Sequence, residues 1–203
     1  MYIITTMGDM LAFAPERTED LFRALGEHLH ALGGRAEIVV IGGAALQILG
    51  YVSRPTRDVD VVAVLDEGRL REAQPLPPLL NEAAVRVARD FGLPTDWLNA
   101  GPADLARLGL PDGFLGRVHT RTYGPALTVH VADRLDLIHL KLYAMVDHGG
   151  GRHEVDLRAL RPTHDELLMA ARWARTHGPS EGLREQLEAA LHHLGVRDAG
   201  LGP

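Results

Sequence analysis

Leu21, Leu25, Leu29 and Leu32 recur at helical spacing with polar residues between them, which predicts a helix over Pro15–Leu32 ended by Gly33-Gly34. Thr18 is read as its N-cap. The period then shortens. Glu37-Ile-Val-Val-Ile41 is a β-branched run too short for a helix and suited to a buried strand. It runs into Gly42-Gly43 and a short helix, Ala44–Leu49, that Gly50 stops. A loop from Tyr51 to Arg57, containing Pro55, leads to a second strand over Asp58–Val64. Pro78–Phe91 reads as a helix, and the stretch from Pro94 to Gly116 is mixed, with a short helix around Leu105. Arg117–Arg121 and Leu127–Ala132 read as strands flanking Tyr123-Gly124-Pro125. Asp133 caps a strong helix reaching Asp147, and Gly149-Gly-Gly151 follows as a joint or a close-approach loop. Three helices come last, over His153–Leu160, Thr163–His177 with Thr163 as cap, and Gly182–Leu194.

Strands mixed with helices first and helices alone last predict an α/β (α+β) fold: a mixed β-sheet with flanking helices, then a helical C-terminal part. The expected division is a core over residues 1–148 and a helical part over 149–203 packed on it. Composition narrows the functions. Aromatic residues make up 5% of the chain, so the core must rest on Leu, Val, Ile and Ala. Cysteine is absent, which excludes disulfides, thiolate catalysis and Cys-based zinc sites. The formal net charge is −6 with no long run of like charges, a poor basis for coating nucleic acid non-specifically. Apolar runs fall well short of the roughly 20 residues that span a bilayer, and Met1–Met10 does not read as a signal peptide. No membrane association is expected, and the cytoplasm is the expected compartment. The eleven histidines include no pair at helical spacing with a glutamate between them.

The chemistry concentrates between Ile41 and Asp60. Glycines where a strand turns into a helix leave backbone N–H groups and the positive helix end open to a phosphate. Asp58 and Asp60 share one strand face, about 7 Å apart along the chain at a rise of about 3.3 Å per residue. Such hard oxygen donors suit one or two Mg²⁺ ions that also hold phosphate oxygens, and like charges left side by side would otherwise repel. Arg54 and Arg57 stand just before them, placed to neutralise a triphosphate or a leaving pyrophosphate.

Gly-Gly on a strand-to-helix turn, followed after a spacer by Asp-x-Asp on the next strand, resembles the signature of the DNA polymerase β nucleotidyltransferase superfamily. Arg54-Pro-Thr-Arg-Asp-Val-Asp60 is similar to its small bacterial branch, which includes the AbiEii-type abortive-infection toxins and related tRNA-modifying toxins. Asp136-Leu-Ile-His-Leu-Lys-Leu-Tyr-Ala144, Arg152-His-Glu-Val-Asp-Leu-Arg-Ala-Leu160 and Trp97-Leu-Asn99 resemble further segments of that branch.

The resemblance implies that Gly42 and Gly43 cradle phosphates, that Asp58 and Asp60 bind Mg²⁺ (or Mn²⁺), that Lys141 contacts the triphosphate, and that Asp156 is a further acidic site residue. By their own sequence context, Lys141 also reads as a snorkelling surface lysine and Asp156 as a helix residue pairing with Arg152. Two departures stand out. Ala44 occupies a position where many members have serine, and the strand Leu127–Val131 offers His130 rather than a third carboxylate. The implied function is transfer of a nucleoside monophosphate from a nucleoside triphosphate to an acceptor hydroxyl. The implied acceptor is RNA, in particular tRNA, in a toxin–antitoxin or defence setting with a cognate antitoxin protein as partner. The alternatives are transfer to a protein or an antibiotic-type small molecule, and a degenerate domain that binds a nucleotide or partner without turnover.

Overall fold

The computed structural model describes residues 12–178, 180–197, 200 and 201. The expectation for Met1–Met10 lies outside the described residues. The chain divides into two compact units, Met1–Arg107 with Val118–Ala132, and Leu108–Arg117 with Asp133–Pro203. Among the described residues no helix is long and apolar enough to cross a membrane.

The first unit is built on a mixed sheet that holds six strands among the described residues: β1 (Ala36–Ile41), β2 (Val59–Asp66), β3 (Arg69–Glu72), β4 (Leu98–Asn99), β5 (His119–Tyr123) and β6 (Leu127–Val131). Their order is β3-β2-β1-β6-β5, with the two-residue β4 beside the start of β2. β1 runs antiparallel to β2 and parallel to β6. Ile38 to Ile41 and Val59, Val61, Val62 and Ala63 are buried, as expected for central strands covered on both faces. Helices α1 (Pro15–Ala31), α2 (Gly42–Ile48), α3 (Pro78–Phe91) and α4 (Ala103–Leu108), the last up to Arg107, complete the unit.

The mixed sheet with flanking helices is the expected fold class. At the residue level α1 differs from expectation. It starts after Ala14 with Pro15 at the first turn, where a missing N–H costs nothing, so Thr18 is not the cap. Thr18 is instead fully buried and donates its hydroxyl to Gln47 Oε1 at 2.8 Å.

The second unit contains α5 (Phe114–Arg117), α6 (Arg134–His148), α7 (Gly151–Ala159), α8 (His164–His177) and α9 (Glu181–His193). α6 is its centre, in contact with α7, α8 and α9. The expected caps form. Asp133 accepts from Leu135 N–H at 2.9 Å, and Thr163 and Glu166 make a reciprocal capping box on α8. A boundary at residue 148 would run through this unit, which claims all of α6. It also claims residues 108–117, because Arg117 donates twice to Asp136, at 2.6 and 3.1 Å, and His177 Nε2–H donates to the Gly109 carbonyl at 2.8 Å.

Candidate functional site

Strand register places Asp60 between Ile41 of β1 and Asn99 of β4, and Asp58 lies immediately before β2. Both carboxylates are half-buried. Asp60 faces the glycine turn. A Cβ on Gly42 would fall 2.1 Å from Asp60 Oδ2, and Gly42 also sits at φ +74°, in the left-handed region. A Cβ on Gly43 would fall 2.7 Å from Thr56 Oγ1 and 3.6 Å from Arg54 Nη2. The first turn of α2, Asp60, Thr56 and Arg54 therefore converge, and the glycines clear room for a carboxylate and a hydroxyl of the chain itself. The bare turn leaves the amides that open α2 without intrahelical acceptors.

The loop bearing Arg54 and Arg57 is held from both sides. Phe13 and Thr56 exchange backbone hydrogen bonds at 2.7 and 3.0 Å. Gln47, buried in α2, donates to the carbonyls of Arg54 at 2.8 Å and Phe13 at 3.1 Å while accepting from Thr18. Arg57 and Asp58 open onto a cleft of about 900 Å³, also lined by Asn99, Asn81, Gln74 and Thr95. Asn99 Nδ2 makes a long contact of 3.4 Å with Asp60 Oδ1, and its Oδ1 accepts from Gly101 N–H at 2.9 Å. Trp97 is a core anchor, fully buried, with its indole N–H on the Ala84 carbonyl at 2.9 Å.

Sequence reasoning missed Gln47, Thr56 and Asn99. A lone amide inside the apolar run Ala44–Leu49 was the available sign for Gln47; the resemblance of Trp97-Leu-Asn99 marked the segment of Asn99 but not its position opposite Asp60, which sheet register sets.

Lys141 and Asp156 are brought together in the second unit. Lys141 Nζ donates to Asp156 Oδ2 at 2.7 Å, with Lys141 7% and Asp156 0% exposed. Each group thus neutralises the other, and Lys141 is buried rather than snorkelling. His130, on the strand where a third carboxylate was sought, bonds Thr120 Oγ1 through Nδ1 and Glu37 Oε2 through Nε2, each at 3.0 Å.

Among the described residues no group of three or more His, Asp or Glu side chains is arranged to hold a metal ion. Asp58 and Asp60, both half-buried and Asp60 set against the glycine turn, are oxygen donors of the kind that suits Mg²⁺, which binds through one or two carboxylates and completes its shell with substrate phosphates and water.

No curated protein and no solved structure matches the chain. A family model matches residues 19–150, from within α1 to the end of the α6–α7 joint, and so covers the glycine turn, the Arg54–Asp60 loop and Lys141 but not Asp156. With well over half of the chain matched, the protein belongs to the family described as "Nucleotidyltransferase of unknown function (DUF6036)".

Proposed function

We propose that the chain moves a nucleoside monophosphate from a nucleoside triphosphate to an acceptor hydroxyl, using the groups gathered around Gly42 and Asp60. The observation that carries this reading is the convergence of a side-chain-free turn, an acid facing it and an arginine beside it. Asp58 and Asp60 would hold Mg²⁺ (Mn²⁺ suits the same donors). Bound there, the ion supplies charge for the triphosphate and acidifies the attacking hydroxyl. The amides at Gly42 and Gly43 would receive phosphate oxygens, and Arg54 and Arg57 would meet the charge that builds on the departing pyrophosphate. The cleft next to Asp58 gives the acceptor its approach. The acceptor oxygen bonds to the α-phosphorus, the α–β bridging P–O bond breaks, pyrophosphate leaves, and the proton passes to water with Asp58 or Asp60 assisting secondarily.

The finer assignments rest on the resemblance of Arg54–Asp60 to the AbiEii-type branch. These are RNA, in particular tRNA, as acceptor, a toxin–antitoxin or defence role, and an antitoxin partner. The same resemblance adds Lys141 as a triphosphate contact and Asp156 as an acid of the site; the bond to Asp156 uses one of the three N–H donors of the Lys141 ammonium.

The test is incubation of the full chain with each α-labelled nucleoside triphosphate, Mg²⁺ and total RNA, alongside an Asp58→Asn/Asp60→Asn variant. Label on RNA from the wild type, reduced by about 10²-fold or more in the variant, is the expected result. Label on the protein or a small acceptor moves the assignment to that acceptor. No label under any condition leaves a domain that binds without turnover, the reading to which Ala44 and the two-acid set lend support.

A further inference from the structure

The second unit carries a cleft of its own, of about 640 Å³. One wall is the exposed face of α8, with Met169, Arg172, Trp173 and His177; the others are His139 of α6 and the segment from Leu108 to Asp112. The segment is pinned by the hydrogen bond from His177 Nε2–H to the Gly109 carbonyl, so the opening is a built feature of the unit. Its size is that of small-molecule sites in general.

The groups in this cleft are unlike those of a plain apolar groove. Trp173 is half-buried and held by rings on several sides, with centroid distances of 4.4 Å to His177, 5.7 Å to His139 and 6.0 Å to Tyr143. Among the described residues its indole N–H has no partner. His139 is 6% exposed, and its Nδ1–H donates to the Leu135 carbonyl at 2.7 Å, which leaves Nε2 as the lone-pair side of the ring. Burial holds the imidazole below its ordinary pKa and therefore neutral, so Nε2 is an acceptor, and it too has no partner among the described residues. Arg172 is exposed and makes no ion pair among the described residues, while its neighbours Arg175 and Arg117 are engaged elsewhere. Met169 and Leu108, 44% and 54% exposed, give the cleft apolar rims.

We infer that this cleft binds an unpaired nucleotide, with the base against Trp173 and between the apolar rims and the phosphate on Arg172. Each part of such a ligand meets a group with bonding capacity that the described residues leave unused. A flat heterocycle stacks on an indole or imidazole face. Its edge carries both donors and acceptors, which answer the open N–H of half-buried Trp173 and the open ring nitrogen of His139, a residue 6% exposed. Its phosphate is the anion for which an arginine fork is suited. An aromatic side chain of a peptide would use the stacking surface and leave the donor, the acceptor and the arginine without a purpose. All of these groups belong to the second unit, so the inference stands apart from the transfer reaction proposed for the first.

The nucleotide could be free or the unpaired end of an RNA, and one titration separates these sources. The full-length Asp58→Asn/Asp60→Asn variant is titrated in EDTA with each nucleoside 5′-monophosphate, with a single-stranded adenosine heptamer, and with an acidic peptide bearing one phenylalanine, following tryptophan emission. Trp97 is fully buried in the first unit, so its emission is a constant background that remains in a Trp173→Leu variant. Saturable quenching by the monophosphates or the heptamer is expected, lost in Trp173→Leu and weakened about tenfold in Arg172→Ala. Arg172→Ala keeps the test decisive if Trp173→Leu does not fold, since Arg172 is exposed and pairs with nothing described. Heptamer binding at least tenfold tighter than AMP assigns the site to an RNA strand, and equal affinities assign it to a free nucleotide. No quenching by nucleotide or heptamer at millimolar concentration, quenching unchanged in Arg172→Ala, or a response to the peptide alone overturns the inference.

Discussion

Gly42 meets two separate demands, and they can be measured apart. Its φ of +74° costs an L-residue about 1–2 kcal/mol, and its missing side chain makes room for Asp60 Oδ2, which would lie 2.1 Å from a Cβ. Gly42→Ala is therefore expected to lower stability by more than the backbone cost alone and to push the Asp60 carboxylate from its place. In the double variant Gly42→Ala/Asp60→Ala the atoms nearest the new methyl are gone and the Asp60 Cβ remains at 3.3 Å, so the steric part should be recovered and only the backbone part should persist. Urea midpoints give the stabilities, and α-label transfer should be lost in both single variants and in the double. If Gly42→Ala proves as stable as the wild type, the close packing of this turn against Asp60 is wrong. The residue pattern was legible in the sequence to the extent that Gly42, Gly43, Asp58 and Asp60 form a spaced signature. What it did not show is that the space the glycines leave is occupied in part by Asp60 and Thr56 of the chain itself.

At the scale of elements, the sequence spoke clearly wherever a local rule sets the structure. Asp133 and Thr163 were readable as caps because the side chain and the amides it serves are two or three residues apart. Strand β3 was not readable, since Arg-Leu-Arg-Glu has little apolar alternation and forms through the Glu67-Gly68 turn, both residues at positive φ. Lys141 and Asp156 were readable as candidates but not as partners, because their meeting depends on how α6 and α7 pack. That packing yields a prediction about what the pair is for. Asp156→Ala strands a buried ammonium and should cost about 3–5 kcal/mol, whereas Lys141→Met/Asp156→Leu replaces both charges with apolar groups and should restore most of that. Urea melts and label transfer are measured on the same proteins. A double variant that is stable but inactive assigns the pair to chemistry, and one that is stable and active makes it a packing device. Asp156→Ala within about 1 kcal/mol of wild type would mean the lysine escapes to water, contrary to its burial.

At the scale of the whole chain, the two units are not successive halves. The backbone leaves the first unit after Arg107, returns at Val118 and leaves again after Ala132, so residues 108–117 interrupt the first unit in sequence and belong to the second. The sequence could not show this, because the ties run from Arg117 to Asp136 and from Gly109 to His177, 19 and 68 residues away, while the segment itself has no strong period. Asp136 is the group to probe. It is fully buried, and burial holds its carboxyl above the usual carboxylate range even with the Arg117 guanidinium beside it. Removing that cation in Arg117→Met should raise it further. An acid whose folded pKa lies above its unfolded value stabilises the fold when protonated and loses that contribution as pH rises through the folded value. The variant should therefore be weakened by about 3–5 kcal/mol at neutral pH, and its deficit should shrink as pH falls towards about 4, the unfolded carboxylate value. Asp136→Asn/Arg117→Met, with no acid left to titrate, should lack that slope. Chymotrypsin adds a local readout, because Leu108, Phe114 and Leu115 lie within the segment. Cleavage there should appear in Arg117→Met at neutral pH, and fade at lower pH in step with recovered stability. A deficit independent of pH would mean that Arg117 holds the segment by packing and that the buried charge on Asp136 plays no part.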